Sequence, residues 1–88
     1  MNNYDVKKNL SKTYYKRLIL FGKGYTFGEI AIKENIQRDS IITCFWKIRA
    51  KLERLNLIPF RKWGEKYSYN YLKEFAENLP ENLLREEG

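Results

Sequence analysis

Residues 38 to 55 read RDSIITCFWKIRAKLERL, and this stretch decides how the rest of the chain is interpreted. Its apolar side chains recur at steps of three and four residues, which places them along one side of a helix. They are Ile41, Phe45, Ile48, Leu52 and Leu55. The opposite side carries hydroxyl groups first and cations behind them, namely Ser40, Thr43, Lys47, Lys51 and Arg54. The pattern predicts a helix with one face for a core and the other for an anionic partner.

Both ends of this helix carry capping signals. Asp39 or Ser40 can accept a hydrogen bond from the free amides at its start. Asn56 can end it, because Asn tolerates the left-handed conformation that commonly follows a helix.

The preceding residues predict two more helices. The first begins near Asn9 or Ser11 and ends at Phe21, and it is followed by Gly22 and Gly24. Leu10, Tyr14, Leu18 and Phe21 are spaced to share its inner face. Tyr25 to Phe27 could pair briefly as a strand. The second helix runs from Gly28 to Lys33 or Glu34, since Thr26 and Glu29 have the spacing of a capping box. Asn35 then turns the chain.

The residues after Asn56 predict a β-hairpin and a last helix. Residues 57–60 read as one strand, residues 61–66 as a polar tip, and the alternating residues 67–71 as the second strand. The last helix spans Leu72 to Leu79. We therefore expect a flexible N-terminus over residues 1–8, one domain over residues 9–79, and an acidic tail over residues 80–88.

This order of elements resembles that of winged helix-turn-helix domains. The resemblance rests on three motifs of this sequence: Thr26-x-x-Glu29-Ile30-Ala31, then Ile36-x-x-x-Ser40-Ile41, then Leu52-Glu53-x-x-Asn56-Leu57-Ile58. Winged-helix regulators commonly show T-x-x-E-[LI]-A, then [ST]-[VI], then L-E-x-x-G-L-I. Asn35 and Asn56 stand where the family usually has Gly, so both are expected to adopt positive φ, which Asn tolerates best after Gly. The third helix is about one turn longer than usual. The resemblance implies an α+β, mostly helical fold with a three-helix core, a hairpin wing and a C-terminal helix.

The charge distribution favours a polyanionic partner. The chain has 17 Lys and Arg against 11 Asp and Glu, a formal charge of +6. Residues 1–66 hold 15 basic and 6 acidic residues, or +9, and residues 67–88 hold 2 and 5, or −3. A basic body of this kind suits nucleic acid.

The resemblance implies that the third helix enters the major groove of double-stranded DNA. The residues expected to read base edges are Gln37, Arg38, Ser40 and Thr43. Those expected to hold the DNA backbone are Lys47 and Lys51 on the helix and Arg61, Lys62 and Lys66 on the hairpin tip.

Such a small protein suits a transcriptional regulator, or a replication or partition protein of a plasmid or virus. We expect a homodimer, with Ile42, Trp46, Phe75 and Leu79 as a dimer or partner surface. Two alternatives stay open. One is a winged-helix protein-interaction module that uses Ile42 and Trp46. The other is non-specific or RNA binding by stacking on Tyr67, Tyr69 and Tyr71.

Catalytic and metal chemistry find little support in the composition. There is no His, and Cys44 is the only Cys, so a Cys/His zinc site and an internal disulfide are excluded. We expect a protein that is not an enzyme and has no cofactor or metal. No apolar run is long enough to span a bilayer and no signal peptide is visible, which predicts a cytoplasmic protein, in the host cell if it is viral.

Overall fold

A computed structural model describes residues 9–60 and 69–79 of this chain, and these residues contain four helices. In chain order they are α1 (Lys12–Gly22), α2 (Phe27–Glu34), α3 (Arg38–Arg54) and α4 (Asn70–Glu77). α2 packs against α3, and α1 packs against α4. Each of the three predicted helices before Asn56 is present, and α1 begins one residue after Ser11 rather than at Asn9; the other bounds agree with the prediction to within one residue.

The predicted α+β class is wrong for these residues, because neither 9–60 nor 69–79 contains a strand. Residues 57–60 do not form the first strand of a hairpin, and Asn70 and Tyr71 belong to α4 rather than to the second. The alternation over residues 67–71 is short, whereas Leu72 and Ala76 are both buried at a helical spacing. The hairpin tip, residues 61–66, lies outside the described residues.

The predicted short strand before α2 is also absent. Thr26 has an extended backbone, with φ −77° and ψ 165°, because it is the N-cap of α2. Its hydroxyl accepts a hydrogen bond from the Glu29 amide at 3.1 Å, and the Glu29 carboxylate accepts one from the Thr26 amide at 2.9 Å. The predicted capping box is therefore confirmed. The hydrogen bond from the Thr26 amide is the main cause that lowers the pKa of Glu29, and the nearby Thr26 side chain adds to it.

The two asparagines adopt the backbone conformation expected of them. Asn35 has φ 56° and Asn56 has φ 59°, both in the left-handed region. Asn35 ends α2, and its amide donates to Ala31 and Ile32. After Asn56, the Leu57 amide donates to the Leu52 carbonyl at 3.0 Å, which satisfies a carbonyl left free at the end of α3.

The start of α3 differs from the prediction. Its N-cap is Gln37, which makes no side-chain capping bond, and Asp39 and Ser40 both lie inside the first turn. Neither is the cap, because the chain enters the helix only three residues after Asn35. Asp39 still places a carboxylate where the helix dipole favours one.

The predicted inner face of α3 is the centre of the core. Ile41, Phe45, Ile48 and Leu52 are completely buried, and Leu55 at the end of the helix is half-buried. Cys44 is also buried, as predicted. Other fully enclosed side chains come from each remaining helix, namely Tyr15, Leu18, Ile30 and Leu72. Burying a large apolar side chain stabilises a small domain by about 1.5–3 kcal/mol.

Four aromatic rings connect all four helical regions. The Phe27 ring centroid lies 5.1 Å from that of Phe21 and 4.8 Å from that of Phe45. Tyr69, directly before α4, meets the Phe27 ring edge-on at 5.1 Å. Offset and edge-to-face geometries of this kind are the favourable ones for aromatic pairs. The cluster therefore fixes α1, α2 and the start of α4 around α3.

Gly22 has a second role besides ending α1. A Cβ atom at this position would lie 2.6 Å from the carbonyl carbon and oxygen of Ala76 in α4. Only a residue without a side chain permits the two backbones to approach so closely. The junction of α1 and α4 thus depends on this glycine.

Candidate nucleic-acid interface

A short, fixed turn joins α2 to α3 and orients the outer face of α3. Residues 35–37 make the turn, and the Ile36 amide donates to the Ala31 carbonyl at 3.0 Å. Ile30 and Ala31 of α2 are buried against the core on one side of the turn, and Ile41 of α3 is buried on the other. Because the inner side of α3 is committed to the core, its opposite side faces solvent.

The residues predicted to read bases all lie on this solvent side. They are Gln37, Arg38, Ser40 and Thr43, and each is exposed. Within residues 9–60 and 69–79 none of their side chains takes part in an ion pair or a side-chain hydrogen bond. We call these four residues the α3 polar face. Its donors and acceptors are available to an external partner.

Arg38 also contacts the start of the neighbouring helix. Its Cδ atom lies 3.8 Å from the position that a Cβ atom on Gly28 would occupy. The stem of the side chain therefore passes the first turn of α2, while its exposed guanidinium is free to meet a ligand. That placement is compatible with a base edge or with a phosphate beside the α2 N-terminus.

The residues predicted to hold the DNA backbone divide into two groups. Lys47 is exposed, one turn beyond Thr43, and continues the α3 polar face. Lys51 is half-buried one turn further on. Arg61, Lys62 and Lys66 lie outside the described residues, so their assignment stays a prediction.

An open cleft lies between the start of α1 and the second half of α3. It has a volume of about 550 Å³. Lys47, Lys51 and Arg54 line it from α3. The other side is lined by residues 9–11, directly before α1, and by Tyr14 in its first turn. We call it the α1–α3 cleft. The sequence indicated the cations, but nothing in it indicated that α1 would face them.

The predicted dimer or partner surface consists of two separate parts. On α3, the Trp46 side chain is 46% exposed and Ile42 is half-buried, so neighbouring helices do not enclose the indole. On α4, Phe75 and Leu79 are partly buried and pack against the protein's own core. Part of the apolar surface assigned to a dimer contact is therefore used within the chain.

Two charged residues on the flank of Trp46 are buried. Arg49 and Glu53 are each 2% exposed, and the Nε of Arg49 lies 3.5 Å from a carboxylate oxygen of Glu53. They follow Ile42 and Trp46 at helical spacing on the same flank. The four-residue separation of a cation and a carboxylate is the sequence signal for such a pair.

A second ion pair ties α1 to α2. The Arg17 guanidinium donates from Nε to both oxygens of Glu34, at 3.1 and 3.0 Å, and from one terminal nitrogen at 2.7 Å. The hydrogen bonds from Arg17 lower the pKa of Glu34, and burial raises the pKa of the nearby Cys44 thiol. The charge of Arg17 is therefore paired within the protein.

The described part of the chain carries no evident metal site or membrane span. Across residues 9–60 and 69–79, no group of His, Cys, Asp and Glu side chains is arranged to hold a metal ion. None of the four described helices has the length and hydrophobicity needed to cross a bilayer.

Comparison with known protein families, with characterised proteins and with solved structures finds no match for this chain. Its functional interpretation therefore rests on its own residues and geometry.

Proposed function

We propose that this protein binds double-stranded DNA with sequence specificity, with α3 in the major groove. The observation that carries the proposal is the α3 polar face. It presents Arg38, Gln37 and two hydroxyl side chains on the outside of a helix whose inner side is fixed in the core. A helix held in this way can insert side chains into a groove without losing its own packing.

The chemistry of these residues fits reading of base edges. Arg can form two hydrogen bonds with guanine, and Gln can do the same with adenine. The hydroxyls of Ser40 and Thr43 can contact bases or phosphates. Lys47, one turn further along, is the nearest cation for the DNA backbone. We assign base reading to the α3 polar face and backbone contact to Lys47.

The charge and size of the chain suit the same function. The formal charge of +6 attracts a polyanion at long range. As part of the proposal we place the protein in the cytoplasm, as a homodimeric regulator or a replication or partition protein on a two-fold DNA site. No enzymatic activity is needed for this role.

Selection of bound sequences from random duplexes tests the proposal directly. We expect a defined consensus sequence, with the strongest preference at base pairs met by Arg38. Sedimentation equilibrium on the same preparation tests the dimer. Absence of any duplex binding at low salt would overturn the DNA-binding proposal.

Variants then separate base reading from phosphate contact. Arg38→Ala should remove preference at one base pair per half-site, since a good base contact contributes about 1–3 kcal/mol of discrimination. Lys47→Gln should weaken specific and random duplexes alike and reduce the salt slope by about one unit. Lys73→Gln, at an exposed position of α4, is the matched control for loss of one charge. If Arg38→Ala weakens both duplexes equally, Arg38 contacts phosphate.

A protein-interaction module is the second candidate, because the Trp46 indole is 46% exposed beside a half-buried Ile42. An exposed indole next to apolar surface is a common anchor for a protein partner. Trp46→Ala should then abolish binding of the protein partner and leave the affinity for duplex DNA unchanged. If wild-type protein binds no duplex while a Trp46-dependent partner is identified, this second function replaces the first.

A further inference from the structure

The α1–α3 cleft gathers three cations that the protein does not neutralise with its described carboxylates. Lys47, Lys51 and Arg54 line one wall, and none has an ion-pair partner among residues 9–60 and 69–79. In contrast, Arg17 and Arg49 of the same domain are both paired with glutamates. Like charges on one wall repel each other, and an anion in the cleft would relieve that repulsion.

Helix-end electrostatics account for only part of this arrangement. Lys51 and Arg54 stand in the last turn of α3, where cations favour the helix dipole. Lys47 lies a turn earlier and gains little from that effect. The opposite wall adds the start of α1, where Ser11 is the N-cap and the dipole is positive. Both walls therefore favour an anion in the space between them.

The size and lining of the cleft indicate what kind of anion it takes. Its volume of about 550 Å³ lies within the range of about 300–1,000 Å³ typical of small-molecule sites. Leu10 and the Tyr14 ring add an apolar wall next to the cations. A ligand matching this lining has several negative charges at one end and a flat, partly apolar group at the other.

We propose that the α1–α3 cleft binds a nucleoside di- or triphosphate. Lys47, Lys51 and Arg54 contact the phosphate oxygens, and the Tyr14 ring and Leu10 contact the base. Charge-assisted hydrogen bonds from Lys and Arg are the usual means of holding phosphate groups. This binding is reversible and involves no covalent step, and it shares only Lys47 with the proposed DNA contacts.

The shape of the cleft favours a free nucleotide over the phosphates of a duplex. Lys51 is half-buried and Leu10 is buried, so the inner lining is recessed from the surface. A small ligand can enter a concave site of this kind, whereas a duplex backbone is convex and would meet exposed rim residues such as Lys47 and Arg54. Single substitutions inside the cleft distinguish these two sources of phosphate.

Titration calorimetry on the full chain tests the proposal, with adenosine triphosphate and pyrophosphate as probes. We expect saturable binding of the nucleotide to one site per chain, tighter than that of pyrophosphate. Lys51→Gln and Arg54→Gln should each weaken nucleotide binding by about tenfold or more, as expected for loss of one charge-assisted hydrogen bond. Tyr14→Leu should weaken the nucleotide but not pyrophosphate.

Matched measurements separate the cleft from a general charge effect. Lys73→Gln removes the same charge from exposed α4 and should leave nucleotide affinity unchanged. Arg54 is exposed, so its substitution should fold normally, as thermal unfolding can verify. The proposal is overturned if the nucleotide does not bind saturably, if Lys73→Gln is as harmful as Arg54→Gln, or if pyrophosphate binds as tightly as the nucleotide. It is equally overturned if Lys51→Gln and Arg54→Gln weaken only random-duplex binding, which would make the cleft a DNA backbone contact.

Discussion

The α2–α3 junction and the α1–α4 junction hold pairs of helices together by different means. At the first, a three-residue turn begins with the left-handed Asn35, and a capping box fixes the start of α2. Each of these interactions joins residues close in sequence. At the second, Gly22 and Ala76 are far apart in the sequence, and their backbones approach each other closely.

Because they are held together differently, the two junctions should respond to different kinds of substitution. The α2–α3 junction is supported by caps and a turn, and each contributes a modest amount of free energy. The α1–α4 junction depends on a close steric fit, which tolerates no added atoms without a shift of backbone. The aromatic cluster of Phe21, Phe27, Phe45 and Tyr69 is shared by both.

The largest effect is expected where both junctions depend on one side chain. Phe45 is completely buried, with its ring centroid 5.1 Å from that of Phe21 and 4.8 Å from that of Phe27. Phe45→Ala should lower the free energy of unfolding by about 3–5 kcal/mol. Denaturant unfolding measures it, with the exposed Thr43→Ala as control. If Phe45→Ala unfolds the protein outright, Phe45→Leu should give a smaller, measurable loss in the free energy of unfolding. A loss near zero would mean that the aromatic cluster does not stabilise the fold.

The α1–α4 junction is tested by adding one methyl group. Gly22→Ala should destabilise the protein by about 1–3 kcal/mol, because its Cβ would overlap the Ala76 carbonyl. Gly28→Ala is the matched control, since a Cβ there meets only ordinary contacts at 3.8 and 3.9 Å. Thermal unfolding compares the two variants. Equal melting temperatures would show that α4 can move away from α1 at little cost.

Acidification should weaken the link between α1 and α2. Arg17 holds the pKa of Glu34 below its usual value of 4.5, so the ionised carboxylate stabilises the folded state. That stabilisation is fully present above the pKa that Glu34 has in the unfolded protein. It is lost as the pH falls through the lower pKa of Glu34 in the folded protein. The side chains are 14% and 24% exposed, and after allowance for solvent screening Glu34→Gln should cost about 1 kcal/mol at neutral pH.

The control for the pH experiment is Glu77→Gln, which changes an exposed carboxylate on α4. Unfolding free energies of wild type and Glu34→Gln should converge as the pH falls through the folded pKa of Glu34. A difference that stays constant down to that pH would mean that the charge of Glu34 does not stabilise the fold.

An effect of similar size to that at Glu34 is expected at the cap of α2. Thr26→Ala removes the hydroxyl that accepts from the Glu29 amide and should cost about 0.5–2 kcal/mol. Thr26→Ser keeps that acceptor and should retain most of the stability. Chemical denaturation of the three proteins checks the order. A Ser variant as unstable as the Ala variant would mean that the Thr26 methyl group, rather than its hydroxyl, provides the stabilisation.

Prediction from sequence succeeded where the signal was local. The periodicity of residues 41–52 identified the inner face of α3, and the Thr26 and Glu29 spacing identified the capping box. Asn35 and Asn56 were expected to adopt positive φ, and both do. The solvent-facing position of the α3 polar face followed from the same periodicity, although its binding function stays a proposal.

Prediction failed where distant residues decide the local structure. Alternation over residues 67–71 predicted a strand, but Leu72 and Ala76 are buried as a helical pair and α4 begins at Asn70. Arg17 and Glu34, seventeen residues apart, gave no sign of their ion pair. This ion pair cannot be predicted from the sequence, because which side chains meet across two helices depends on how the helices pack.

Local signals in the sequence were sufficient to predict the helices, the capping box of α2 and the division of α3 into a buried and an exposed side. These features depend on backbone hydrogen bonds and side-chain periodicity within a few residues. Only the tertiary structure decided that Gly22 is a contact point for α4, that Arg17 is neutralised, and that Tyr14 faces the cations of α3 across a cleft. Those relationships depend on distances between helices, which are set by the packing of the whole core.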